Sequence, residues 1–277
     1  MTTSLILAAT LLAPIASTQT QSLPSAQRIG AITPEQAEIL SHMSILYLDD
    51  GLGGTVKTIR LTGANWQIVD GSGATDGAPT GLGNLIVGYN ELRGMGDDRT
   101  GSHNMIGGKE HNYTRFGGLV VGKENEILGD WSSVSAGGRN TASATFSSVS
   151  GGYNNIANAN YSAVSGGYRN IASGLASSIS GGGVNSATTI YASISGGLEN
   201  TASGGGASVS GGSSNVASAY FSSVSGGQRN TASEYYSSVS GGYQNVASGF
   251  RSSVSGGTAR SAVGPTNWSA GSLTEAN

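Results

Sequence analysis

The residues of this chain that could hold a metal ion lie in its first half. Asp97 and Asp98 precede His103, and carboxylate and imidazole groups are common metal ligands. The segment matches neither an EF-hand loop nor the nonapeptide calcium repeat. The other histidines, His42 and His111, lie in different segments. We therefore expect a solvated loop around His103, with no metal site and no cofactor.

Candidate catalytic groups are also poorly placed. Serine is abundant, but no Gly-x-Ser-x-Gly elbow lies between a strand and a helix. Between Trp131 and Gly257 the only carboxylates are Glu199 and Glu234, which gives little support to a glycosidase pair. The earlier, irregular part has more carboxylates: Glu91, Asp97, Asp98, Glu110, Glu124 and Glu126. We predict no catalytic residue and expect a protein that is not an enzyme.

Composition narrows the function classes further. The chain has 277 residues, a net charge of −3 and only 10% charged residues, so no basic stripe suited to nucleic acid is expected. It has no cysteine, which excludes disulfides, zinc thiolates and a cysteine nucleophile. Glycine accounts for 46 residues, and these glycines recur in register rather than at random.

A short phrase recurs along most of the chain, every 15 residues in its later copies. Twelve copies can be aligned on its apolar residue: Leu85, Met105, Leu119, Val134, Val149, Val164, Ile179, Ile194, Val209, Val224, Val239 and Val254. Glycine follows three residues later, asparagine six and alanine eight in most copies. These columns are represented by Val149, Gly152, Asn155, Ala157, Val164, Gly167, Asn170, Ile179, Gly182 and Asn185. A fixed short period is typical of a solenoid, in which each coil stacks on the next.

The repeat predicts an all-β fold with two short strands and two turns in each coil. Gly-Gly pairs are costly in a helix, whereas Ser-Ser-Val-Ser alternates as a strand does and glycine permits the turn. We predict a parallel β-solenoid of about twelve coils, roughly 50–60 Å long at the usual strand spacing. The asparagine column is expected to form a hydrogen-bonded ladder.

Two sets of residues are candidates for surface contact. If Val149 points inward, its neighbours Ser148 and Ser150 belong to a flat hydroxyl array, which would suit ice binding. A partly aromatic column precedes each phrase and could either pack on the coil edge or contact sugars. Its members are Trp131, Phe146, Tyr161, Tyr191, Phe221 and Tyr236.

The N-terminal part has a different pattern. Residues 1–17 resemble a secretory signal peptide, and residues 18–32 are expected to form a disordered linker. Residues 33–83 are expected to form a cap, in which Thr33, Pro34 and Gln36 predict the start of a helix over residues 33–48. Ile39, Leu40, Met43, Leu46 and Tyr47 would form its apolar stripe. Residues 56–70 predict two short strands on either side of Gly63. The solenoid is expected over residues 84–257 and a tail over residues 258–277.

Written as S-S-V-S-G-G-x-x-N-x-A-S-G-x-x, the repeat resembles the head repeat of YadA-like trimeric autotransporter adhesins. The family phrase is similar to S-V-A-I-G-x-x-A-x-A-x-G, so residues 148–152 lie over its first five positions and Ala157 lies over an alanine. The period here is 15, one residue longer than is usual in the family, and Gly151 stands in place of isoleucine. The resemblance covers residues 84–257. It implies a left-handed parallel β-roll, a homotrimer, and binding to host matrix proteins or other surfaces.

These observations predict a secreted or cell-surface repeat protein with an adhesive or structural role. The expected partners are further copies of the chain, in a homotrimer or another self-association, and an extracellular matrix protein or glycan. No nucleic acid and no membrane-spanning segment are expected. The alternatives are a structural filament or matrix protein, an ice- or glycan-binding solenoid, and a phage-type fibre.

Overall fold

The structure is a computed structural model that describes residues 32–271 and 273–275. These residues belong to two compact units, divided between Gln67 and Ile68. The predicted signal peptide lies outside the described residues, as does the predicted linker apart from Ile32. No helix in the described ranges is long and apolar enough to cross a bilayer.

The first unit begins with helix α1 (Pro34–Ser41). The predicted capping box is present: the Thr33 N–H donates to Gln36 Oε1 at 2.9 Å, and the Gln36 N–H donates to Thr33 Oγ1 at 3.3 Å. These bonds satisfy two amides that the first helical turn leaves free. The start of the helix was therefore predicted correctly, but its end was not, because α1 stops seven residues before the expected position.

The chain continues as an antiparallel hairpin, β1 (Met43–Asp49) and β2 (Thr55–Leu61). Met43, Leu46 and Tyr47 were predicted to lie on the helix and lie in β1 instead, where each pairs across to β2. Cross-strand pairing of apolar and β-branched residues, such as Ile45 with Ile59, outweighs the helical spacing in this segment. The second strand predicted after Gly63 is absent, since residues 62–84 contain none.

The second unit is a parallel β-solenoid of about eleven turns, which confirms the predicted fold class. Its strands are β3 (Leu85–Val87), β4 (Met105–Lys109), β5 (Asn112–Tyr113), β6 (Leu119–Lys123), β7 (Glu126–Ile127), β8 (Ser133–Val134), β9 (Thr141–Ala142), β10 (Ser148–Val149), β11 (Ile156–Ala157), β12 (Ala163–Val164), β13 (Ile171–Ala172), β14 (Ser178–Ile179), β15 (Ser186–Ala187), β16 (Ser193–Ile194), β17 (Thr201–Ala202), β18 (Ser208–Val209), β19 (Val216–Ala217), β20 (Ser223–Val224), β21 (Thr231–Ala232), β22 (Ser238–Val239), β23 (Val246–Ala247), β24 (Ser253–Gly256), β25 (Ser261–Ala262), β26 (Trp268–Ala270) and β27 (Leu273–Glu275).

The strands alternate between two sheets. One contains β3, the even-numbered strands from β4 to β26 and β27, and the other contains the odd-numbered strands from β5 to β25. Within each sheet, neighbouring strands pair in parallel and are offset by one repeat of the sequence. Val149 therefore lies beside Val134 and Val164. The solenoid continues past the predicted end at Gly257, through β25 and β26, and β27 then pairs antiparallel with β26.

The register of the first three copies differs from the predicted alignment. Val134 pairs with Val120, Val120 with Ile106, and Ile106 with Ile86, so Leu85, Met105 and Leu119 were wrongly placed in the apolar column. The step from Ile106 to Val120 and from there to Val134 is therefore 14 residues. The regular coils are longer because each holds one further residue before the turn glycine, first at Ala136 and then at Gly151.

Each regular coil turns at three points rather than two. Left-handed backbone occurs at the turn glycine (φ +84° at Gly152), two residues later (φ +60° at Asn154) and at the aromatic column (φ +60° at Tyr161). A third ladder of single parallel bridges runs between the first two turns, as from Tyr153 to Tyr168. The prediction of two strands per coil was correct, but the third side was missed.

The core consists of two narrow columns of small side chains. The valine and isoleucine column from Val134 to Val254 is at most 1% exposed, and the alanine column from Ala142 to Ala262 is equally buried. Because these side chains offer little apolar area, burial alone gives each coil little stability. The backbone bonds between successive coils must supply much of the rest.

Two adjacent glycines allow a matched test of this geometry. A Cβ on Gly197 (φ +91°) would lie 2.2 Å from the Gly212 carbonyl oxygen, whereas a Cβ on Gly196 would meet no atom within 4 Å. We predict that Gly197→Ala destabilises the solenoid by more than about 2 kcal/mol. Gly196→Ala should be neutral or stabilising by about 0.4–1 kcal/mol, because it restricts the unfolded chain. Urea unfolding followed by circular dichroism measures both, and equal effects would contradict this account of the turn.

Candidate functional site

The asparagine column is the most extensively bonded polar feature of the solenoid. Asn170 is buried, and its side-chain amide donates to the Gly166 carbonyl at 2.9 Å and to the Gly182 carbonyl at 3.0 Å. Its backbone N–H donates to the side-chain oxygen of Asn155 at 2.9 Å, and its own side-chain oxygen accepts from the Asn185 N–H at 2.9 Å. The same pattern recurs from Asn140 to Asn245, whereas the N–H of Asn125 donates to His111 Nδ1. Each asparagine therefore ties together its own coil and both neighbours.

The serines on either side of the buried valine face outward. Val149 is 0% exposed, Ser148 is half-buried and Ser150 is exposed. A further serine, Ser147, is buried, and its hydroxyl donates to the Ala144 carbonyl at 2.7 Å. One face of the rod therefore carries two columns of small hydroxyl side chains, and the third serine closes a turn.

The aromatic column lies on a corner of the coil, and its members are 41–64% exposed. All of them have left-handed backbone, with φ between 55° and 58° at Phe221, Phe146, Trp131, Tyr191 and Tyr236 and 60° at Tyr161. This conformation is unusual for a bulky residue and costs about 1–2 kcal/mol. Ala176 and Gly206 occupy the same corner in other coils, so the fold does not require a ring there.

Several rings stack on their equivalents in the next coil. Phe146 stacks on Tyr161 and Phe221 on Tyr236, with centroids 5.3 Å apart in both pairs. Such pairs contribute about 0.5–1.5 kcal/mol, which offsets part of the backbone strain. Tyr191 has no such compensation, because it lies between Ala176 and Gly206 and is 64% exposed. No other described ring stacks on it.

A second group of rings was missed at the sequence level. Tyr220, Tyr235 and Phe250 directly precede the corner column, and Tyr220 stacks on Tyr235 at 5.5 Å. Tyr153 and Tyr168 lie on the third side of the coil, where they stack with centroids 6.2 Å apart. The 15-residue spacing of each pair was available in the sequence, but each column is aromatic in only some coils.

The irregular early coils hold a charged cleft of about 490 Å³, lined by Arg93, Glu110, Glu124, Glu126, Arg139 and Thr141. The Arg93 guanidinium forms an ion pair with Glu126 and donates to the carbonyls of Glu110 (2.8 Å) and Asn125 (3.1 Å). Glu124 binds Arg139 and Lys123, and these hydrogen bonds lower its pKa to about 2. Glu124 is thus held as an anion by neighbouring cations, which suits a structural ion-pair network better than a general acid.

The candidate metal-binding residues do not converge. Asp97 accepts hydrogen bonds from the backbone N–H groups of Arg93 (2.9 Å) and Gly94 (3.0 Å), and Asp98 accepts from Thr100. His103 lies 3.6 Å from Asp70 rather than beside either residue. In residues 32–271 no three histidine or acidic side chains group closely enough to hold a metal ion.

His111 is a buried structural residue. It is 1% exposed, its Nδ1 accepts from the Asn125 N–H at 3.2 Å, and its Nε2 donates to the Gly107 carbonyl at 3.0 Å. This arrangement requires the neutral ring. Burial lowers the pKa of His111 below its ordinary value of 6.5, because the charged ring would lose its hydration.

Comparisons with known proteins do not assign the chain to a family. No family model matches it, and a search of the curated proteins finds no match.

The asparagine ladder can be tested with a matched pair of variants. Asn170→Ala removes three buried side-chain hydrogen bonds and leaves the Asn185 N–H without a partner. We predict a loss of about 3 kcal/mol in the free energy of unfolding. Asn158→Ala, at an exposed position one coil earlier, should change it by less than about 0.5 kcal/mol. Similar losses for the two variants would show that the ladder contributes nothing particular.

The pKa of His111 predicts a pH dependence. Because the folded state disfavours the protonated ring, the unfolded state takes up this proton first as the pH falls. The contribution of His111 to stability should be complete above pH 6.5 and decrease below it, until the folded-state pKa is reached. An NMR titration should place the pKa of His111 below 6.5, and a value at or above 6.5 would contradict this account.

Proposed function

We propose that this chain is a secreted or cell-surface repeat protein whose solenoid presents side chains for adhesion and performs no catalysis. A solenoid of about eleven turns repeats each exposed position at the spacing of one coil. Such a surface suits contact with an extended partner better than reaction at one centre. The expected partners are an extracellular matrix protein or glycan.

The corner aromatic column is the observation that carries this proposal. Its rings are about half exposed, and its residues have a left-handed backbone conformation that is unfavourable for side chains of this size. Strained, exposed residues that the fold does not require are characteristic of binding surfaces. Tyr191 is the clearest case, because neither burial nor ring stacking offsets its strain.

The resemblance to YadA-like adhesin heads supports the same proposal by analogy. The 14-residue steps from Ile106 to Val134 bring the early coils closer to the shorter period of that family. On this analogy the chain would act as a homotrimer or in another self-association. Light scattering after size exclusion measures the molar mass of the protein in solution and therefore tests this self-association.

Adhesion itself can be tested with beads coated with the full chain. We predict that the beads bind to surfaces of matrix proteins or glycans, and that Tyr191→Ala reduces binding at least about fivefold without lowering stability. Tyr191→Phe is the matched control, since it keeps the ring and the backbone strain. Adhesion unchanged in Tyr191→Ala, or absent for every surface offered, would overturn the proposal.

A further inference from the structure

The charge of the regular solenoid is opposite to that of the whole chain. Residues 131–271 contain five arginines and two glutamates, with no lysine, aspartate or histidine, so their net charge is 5 − 2 = +3. The complete chain has a net charge of −3. The acidic residues are concentrated elsewhere, and the few charges of the regular coils are mostly cationic.

Two of these arginines lie on a corner of the coil and flank a pair of stacked tyrosines on its third side. The Arg139 guanidinium carbon lies 5.7 Å from the ring centroid of Tyr153, and that of Arg169 lies 5.2 Å from the ring centroid of Tyr168. The tyrosines stack on each other with an interplanar angle of 9°. These four residues, here called the Arg–Tyr cluster, are all exposed.

The cluster leaves strong hydrogen-bond donors available. A guanidinium stacked on a ring keeps its N–H groups in its own plane, where they match the oxygens of a carboxylate or sulfate. Arg169 has no carboxylate partner among the described residues, whereas Arg139 has Glu124. The two tyrosines are 43% and 46% exposed, so they add edge hydroxyl groups that can bond to further oxygens.

We propose that the Arg–Tyr cluster binds an acidic polysaccharide carrying sulfate or carboxylate groups. Arg139 and Arg169 are two coils apart, about 10 Å along the rod at the usual strand spacing, and an extended disaccharide unit covers a comparable length. The acidic groups of such a chain would meet the two guanidiniums, and its hydroxyls would meet the tyrosines.

A polysaccharide fits this cluster better than a nucleic acid does. Single-stranded nucleic acids bind through bases stacked on free aromatic faces and through dense positive charge. Here each ring already has a guanidinium over it and the other ring beside it. Cations along this corner are few, and Glu199 lies two coils beyond Arg169. The exposed groups therefore suit a polyanion that is rich in oxygen atoms and whose negative charges are widely spaced.

The test is binding of the full chain to immobilised heparin, with soluble heparin, polygalacturonate, neutral dextran and single-stranded DNA as competitors. We expect heparin or polygalacturonate to compete, and dextran and DNA to have little effect. The double variant Arg139→Gln/Arg169→Gln should bind heparin at least about tenfold more weakly. Lys57→Gln/Arg60→Gln, which removes two exposed cations from β2 of the first unit, is the charge-matched control and should stay within about twofold.

Absence of heparin binding at low salt would overturn the inference. Equal loss in Lys57→Gln/Arg60→Gln would also overturn it, because binding would then follow net charge alone. Stronger competition by DNA would identify a nucleic-acid surface instead and would contradict the proposal. The inference rests on the proposed adhesive role but involves a different corner of the coil. If adhesion depends on Tyr191 while heparin binding fails, only this inference is lost.

Discussion

The hydrogen bonds made by the buried asparagine side chains are the interactions on which the solenoid depends. A coil of small residues buries little apolar surface, so its polar backbone must be satisfied at every turn. Asn170 achieves this by donating to carbonyls in its own coil and in the next, while the N–H of Asn185 donates to its side-chain oxygen. The ladder thus replaces backbone pairing at the corner where the strands end.

This ladder constrains the residues around it. A Cβ at Gly182 would lie 2.8 Å from the amide nitrogen of Asn185 and 2.1 Å from the Gly197 carbonyl oxygen, so the turn glycine and the asparagine form one unit. Positions that point away from this unit are free to vary. The corners and outer faces therefore hold serine, tyrosine, arginine or glycine in different coils, and surface chemistry can change without changing the fold.

The sequence predicted the features that repeat in every coil. The valine, glycine, asparagine and alanine columns recur without interruption over the regular coils, and they correctly indicated a parallel β-solenoid. The register of the early copies was not predictable from glycine spacing, because the extra residue at Ala136 lies between the apolar position and the glycine. Met43 and Tyr47 satisfy helical and strand periodicities alike, and only the pairing with β2 decides between them.

The surface clusters were harder to predict for a different reason. The columns that hold Tyr153 and Arg169 also hold glycine, leucine and glutamine, so no alignment of the phrase singles them out. Their importance depends on which rings become neighbours when 15-residue coils stack, as Tyr153 and Tyr168 do. The third side of the coil, where these rings lie, has no hydrophobic signature, because its bridges are single residues.

Native-state hydrogen exchange of the asparagine backbone amides tests the ladder most directly. The Asn170 N–H donates to a side chain rather than to a strand neighbour, in a segment between two turns. The ladder predicts that the amides of Asn140 to Asn245 exchange as slowly as those of the buried valines, because all of them open only when the coils separate. Exchange at the rate of exposed turn amides would show that the ladder does not hold the coils together.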